Sequence, residues 1–70
     1  MSSPFTAICI QRDGWWVGWI EEIPGVNAQE RTKPELLASL KEILNEALAF
    51  NRQDARAAAG PIYTEEPLAV

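Results

Sequence analysis

The chain has 70 residues, a single cysteine, no histidine and a formal net charge of −4, with 47% hydrophobic residues. This is globular composition for one domain, and it excludes an intrachain disulfide, a His-based catalytic triad and a zinc site built from Cys and His. The acidic balance disfavours nucleic acid as the main partner, because phosphate binding needs a basic patch, and it suits a basic protein or simply solubility.

The first residues, Met1-Ser2-Ser3-Pro4, carry no basic n-region, and no apolar run approaches the ~20 residues of a membrane span. A lone cysteine is compatible with a reducing compartment, so a cytoplasmic location is expected. Phe5 to Gln11 reads as a strand, rich in β-branched and apolar residues with no Gly or Pro inside. Asp13-Gly14 then separates two apolar runs, a strong hairpin signal because such turns need positive φ. Trp15 to Glu22 follows as a second, antiparallel strand. Ile23-Pro24-Gly25 breaks it, and Val26 to Arg31 is a shorter, more polar run that reads as an edge strand.

Thr32 and Glu35 have capping-box spacing, with Pro34 in the first helical turn, where its missing N–H costs little. Leu36, Leu37, Leu40, Ile43, Leu44, Ala47 and Leu48 recur at steps of three and four and define an apolar stripe. Residues 51–61 form a connector that either extends the helix or leaves it, and Gly60-Pro61 ends anything helical. Ile62-Tyr63-Thr64 reads as a late strand within a 62–70 tail, with Pro67 confining it to an edge. The expected fold is α+β: a three- to four-stranded, mostly antiparallel sheet with one helix packed on one face, in the order β-β-β-α-β. The whole of 1–70 is one domain with a core over 5–50.

Side chains alternate across a strand. Phe5, Ala7 and Cys9 share one face of the first strand, with Ile8 and Ile10 on the other. Trp15, Val17 and Trp19 share one face of the second strand, with Trp16 and Ile20 on the other. An antiparallel sheet with one solvated face shows alternating apolar and polar residues; this hairpin is apolar on both sides. One helix covers one side only. Either Tyr63, Leu68 and Val70 fold over the second side, or a partner covers it. Tryptophan and tyrosine dominate binding hot spots, so the expected protein-interface residues are Trp15, Trp16, Trp19 and Tyr63, with Glu21, Glu22, Glu65 and Glu66 as charge partners.

No catalytic, cofactor-binding or metal-ligating set is expected. Cys9 has no basic neighbour in sequence and reads as a small core residue. The four glycines are isolated, not a phosphate-cradling loop. Asp13, Glu21, Glu22 and Glu30 fall at strand ends or loops, a weak basis for a divalent-metal nuclease site.

In order, these features resemble the HicB family of bacterial antitoxins. Phe5-Thr6-Ala7 opens the first strand; Gly14-Trp15-Trp16-Val17 is similar to the family's Gly-aromatic start of the second; Ile23-Pro24-Gly25 looks like its Leu-Pro-Gly signature. Gln29, Thr32 and Glu35 match its Gln ahead of a Thr-initiated helix with a Glu in the first turn. The resemblance spans roughly residues 5 to 50. It implies a partial ribonuclease-H-like fold without nuclease activity, assembly as a dimer or tetramer, and binding to a HicA-type toxin, a small basic ribonuclease that cleaves messenger RNA. Val26 and Glu30 depart from the family, which often has Cys and Gly there. The chain stops at Val70, so DNA binding by this chain alone is not expected. The alternative expectation is a free-standing homo-oligomer without a toxin, holding a small ligand between subunits.

Overall fold

The computed structural model describes residues 4–69. Three strands, β1 (Ala7–Arg12), β2 (Trp15–Ile20) and β3 (Asn27–Glu30), precede one helix, α1 (Lys33–Ala59). The sheet is antiparallel in the order β1-β2-β3. Asp13 and Gly14, at φ 53° and 80°, make the two-residue turn between β1 and β2. Positive φ at both positions gives the turn a twist that matches the flanking strands. Arg12 therefore faces Trp15, and the register runs Ile10↔Val17, Cys9↔Gly18, Ile8↔Trp19 and Ala7↔Ile20.

β2 ends at the Ile23-Pro24-Gly25 break, and Gly25 adopts φ 87°. The Ile20 amide donates to the Val26 carbonyl at 3.0 Å, which starts β2–β3 pairing before β3 formally begins. Thr32 caps α1: its hydroxyl accepts from the Glu35 amide at 3.3 Å and donates to the Glu35 carboxylate at 2.8 Å. Ser39 donates to the Glu30 carboxylate at 2.6 Å, which ties the second turn of α1 to the end of β3.

The core lies between α1 and one face of the sheet. Ile20, Val26, Leu36, Leu40 and Leu44 are buried, with Phe5, Ala7, Cys9, Trp16, Ile23, Ala28, Ile43, Ala47 and Leu48 packed against them. The helix comes close because position 18 has no side chain. A Cβ on Gly18 would sit 2.8 Å from the Ile8 carbonyl oxygen and 3.0 to 3.1 Å from the methyls of Leu36 and Leu40.

One open alternative is decided and two expectations change. The connector over 51–59 is a continuation of α1, which runs unbroken for 27 residues before Gly60 at φ 84°. Ala-rich sequence without a breaker has high helix propensity, and it prevails here without tertiary support, since residues 51–59 are all exposed. Leu37 leaves the apolar stripe and is 43% exposed; it lies one position round from Leu36, beyond the arc that faces the sheet. The late strand at Ile62-Tyr63-Thr64 is not formed. At ~1.5 Å per residue the helix carries the chain ~40 Å, past the end of six-residue strands, so that segment has no sheet edge to join. It turns back instead beside the end of α1, where the Arg56 Nε donates to the Glu65 carboxylate at 2.7 Å. Val70 lies outside the described residues.

Candidate functional site: the uncovered sheet face

The register sorts the hairpin side chains into two sets. Ala7, Cys9, Trp16, Gly18 and Ile20 face the helix. Ile8, Ile10, Trp15, Val17 and Trp19 face the opposite way. Among the described residues no element lies over that second set. The tail that could have closed it does not: Ile62 is 92% and Leu68 86% exposed, and Tyr63 is exposed as well.

The uncovered face is built from cross-strand pairs. Ile8 stands opposite Trp19, and Ile10 opposite Val17. On the far side, Val17 meets Gln29 and Trp19 meets Asn27, so the apolar strip is two strands wide and bordered by amides. Neighbouring side chains shelter each other, leaving most of the strip half-buried, while Trp19 stands out at 40% exposure. Contiguous exposed apolar strips are characteristic of interaction surfaces, which makes this face the candidate site.

Charge is arranged along the strip. At the turn end, the Arg31 guanidinium stacks on the Trp15 ring, 3.6 Å from its centroid, and Arg12 stands beside Trp15. At the other end lie Glu21 and Glu22. The Glu21 amide donates to the Thr6 carbonyl at 2.9 Å. The Glu22 carboxylate accepts from the Thr6 amide at 2.7 Å, and this hydrogen bond holds its pKa below the ordinary glutamate value. The strip thus has a cationic end and an anionic end.

The eight expected interface residues are not all brought together. Trp15 and Trp19 lie on the uncovered face, with Glu21 and Glu22 at its anionic end. Trp16 is on the helix side, packed against the core, with the Lys33 ammonium 5.9 Å from its ring centroid. Tyr63, Glu65 and Glu66 lie in the tail that turns back beside the far end of α1, away from the strip, and Glu65 is engaged by Arg56. Arg12 and Arg31, which complete the cationic end, were not among the expected residues. Strand parity offers a signal for them: Arg12 is two residues from Ile10 and Arg31 two from Gln29.

Among the described residues there is no enclosed pocket and no cluster of three or more His, Cys, Asp or Glu side chains placed to share a metal ion. No helix of the described residues is long and apolar enough to cross a membrane. No protein-family model, curated protein or solved structure matches the chain.

Proposed function

We propose that this chain is a non-catalytic protein-binding module of the antitoxin type, which binds and neutralises a small basic ribonuclease like the HicA toxins. The observation that carries the reading is the uncovered apolar face with Trp19 at its centre. An aromatic anchor set among half-buried aliphatic residues and rimmed by polar groups is the anatomy of a binding hot spot. The chain's net charge of −4 supports a basic partner, and Glu21 and Glu22 place carboxylates beside the apolar strip. The ordered resemblance of Phe5-Thr6-Ala7, Gly14-Trp15-Trp16-Val17, Ile23-Pro24-Gly25 and the Thr32–Glu35 cap to the HicB family supports the toxin class.

The test is co-expression of the chain with a small basic protein of the HicA type, sought in the neighbouring reading frames. The expected result is a stable complex on gel filtration and growth restored relative to the basic protein alone. Trp19→Glu, which changes an exposed side chain, should abolish both while leaving the circular dichroism spectrum intact. Separate elution with persistent toxicity would reject the reading. The second reading, a free-standing homo-oligomer without a toxin and with a small ligand between subunits, draws on the same uncovered face. It gains ground if no neighbour binds and the purified chain buries Trp19 by itself.

A further inference from the structure

The sheet has a second unfinished feature, the outer edge of β1. β2 pairs on one side of it and nothing among the described residues pairs on the other. Natural edge strands are blunted by charge, proline, bulges or a covering element. Residues 7–10 of β1, Ala-Ile-Cys-Ile, have none of these, and the register with β2 runs without a bulge. Helix α1 lies chiefly over β2 and β3 and leaves this edge clear. In consequence Ala7, Ile8, Cys9 and Ile10 are all only half-buried, on both faces of the sheet.

Hydrogen-bond direction fixes which groups are free. The two-residue turn makes Arg12 and Trp15 a hydrogen-bonded pair, and the Glu21 amide bonds the Thr6 carbonyl. By alternation, the backbone groups of Thr6, Ile8, Ile10 and Arg12 point to β2, and those of Ala7, Cys9 and Gln11 point outward.

We propose that β1 pairs with β1 of a second copy, antiparallel about a two-fold axis at Cys9, to make one continuous six-stranded sheet. The inference is independent of what the uncovered face binds. Three observations select a second copy over another occupant. First, an antiparallel two-fold needs residues equidistant from its axis to suit each other, and the strand reads Ile8-Cys9-Ile10, so Ile8 meets the partner's Ile10 and vice versa on the uncovered face. Such β-branched cross-strand pairs are favourable. Second, this register places Cys9 opposite Cys9 and Ala7 opposite Gln11, the three outward-pointing positions, and so satisfies every free amide and carbonyl of the strand. A shift of one residue to either side of the axis leaves some of them unpaired. Third, the charges are self-complementary. Arg12 comes opposite the partner's Thr6, beside which stands Glu21, and the two-fold repeats the contact. Within its own chain Arg12 has no ion pair among the described residues, where Arg56 and Glu65 form the one that is present. Pairing also joins the two uncovered strips into a single wider apolar face.

The full-length chain is examined by analytical ultracentrifugation and by oxidation with copper phenanthroline. In a hydrogen-bonded antiparallel pair the facing Cα atoms lie ~5.5 Å apart, within the ~4.4–6.8 Å that a disulfide spans. The expected result is a dimer that oxidation converts to a covalent dimer through Cys9. Cys9→Ser should remain a dimer and lose the cross-link. The double variant Cys9→Ser/Gln11→Cys, whose thiols face Ala7 of the partner, should cross-link at least tenfold more slowly. Ile10→Lys, at a half-buried position outside the core, should shift the chain to monomer with its helical spectrum retained. A monomer at tens of micromolar overturns the proposal. So does a dimer whose Cys9 thiols do not link, the outcome of face-to-face stacking, because Cys9 then points away from the interface. Neither result bears on toxin capture, which is read by co-elution and by Trp19→Glu.

Discussion

Gly18 is the position where the fold allows the smallest chemical change to have a large effect. Gly18→Ala adds one methyl group to the middle strand at a point where α1 crosses it. That methyl would lie 2.8 Å from the Ile8 carbonyl oxygen, and 3.0 and 3.1 Å from the terminal methyls of Leu36 and Leu40. The leucine tips can rotate, although both side chains are fully buried. The carbonyl cannot move, because it belongs to the backbone of the adjacent strand. Overpacking of this sort costs ~1–3 kcal/mol. Against it stands the reduced freedom of the unfolded chain when glycine becomes alanine, worth ~0.4–1 kcal/mol. The net expectation is destabilisation by ~1–2 kcal/mol. For a domain of this size that lowers the melting temperature by roughly 5–15 °C. The assay is thermal and urea unfolding followed by circular dichroism at one fixed protein concentration, since self-association of the kind proposed would make the midpoint concentration-dependent. Gly18→Val should fail to fold. An alanine variant as stable as the parent, or more stable, would show that α1 does not approach β2 as closely as described, and the core would have to be redrawn.

Leu40, 1% exposed at the centre of the core, should cost ~2–5 kcal/mol as Leu40→Ala. That is comparable with the whole stability of a small domain, so the variant should be unfolded by circular dichroism at 25 °C. Thr32→Ala removes the side-chain acceptor for the Glu35 amide and should cost ~1 kcal/mol, typical of an N-cap, read as a lower urea midpoint with an unchanged slope. Glu22→Gln should flatten the acid limb of stability. Because the folded pKa of Glu22 is depressed by the Thr6 amide, its contribution is present above the unfolded value of about 4.5 and fades as pH falls from there through the lower folded value. The parent should therefore lose more stability than the variant across that window in pH-dependent urea unfolding.

The hairpin and the helix start are legible in the sequence because local chemistry decides them. Asp13-Gly14 can take the two positive φ angles the turn requires, and Thr32, Pro34 and Glu35 each occupy the helix position their chemistry favours. The two-sided apolar pattern of the strands was equally legible, since alternation is a property of the backbone and not of the surroundings. Which face the helix would cover was not. That depends on Gly18 providing the groove, and a glycine inside an apolar strand does not announce in sequence whether it marks a bulge, a weak point or a close approach. Strand parity already sets Trp16 opposite Trp15 and Trp19; naming it as an interface anchor rests on residue type alone, and the structure packs it against the core. The late strand failed for a reason of length: Ile62-Tyr63-Thr64 has strand-like residues, but 27 residues of α1 intervene, and propensity cannot pair a segment with a sheet it does not reach.

The placement of the uncovered residues connects the two proposals. In a 70-residue chain the helix fully buries sheet-side residues only at the end of β2 and just ahead of β3, where Leu36, Leu40 and Leu44 cluster with Ile20 and Val26. β1 is held by its pairing with β2 and by the edge of that cluster. A second copy added at β1 would extend the sheet without occupying the strip around Trp19, and a partner on the strip would not need the β1 edge. The two surfaces meet along Ile8 and Ile10, which belong to both. Substitution at Trp19 should therefore affect capture of a partner and leave self-association intact. Substitution at Ile10 should weaken both, because its side chain lies on the uncovered face as well as at the β1 edge. A chain in which Ile10→Lys left self-association intact would place the dimer contact elsewhere, and the uncovered face would then have to be assigned without the β1 edge.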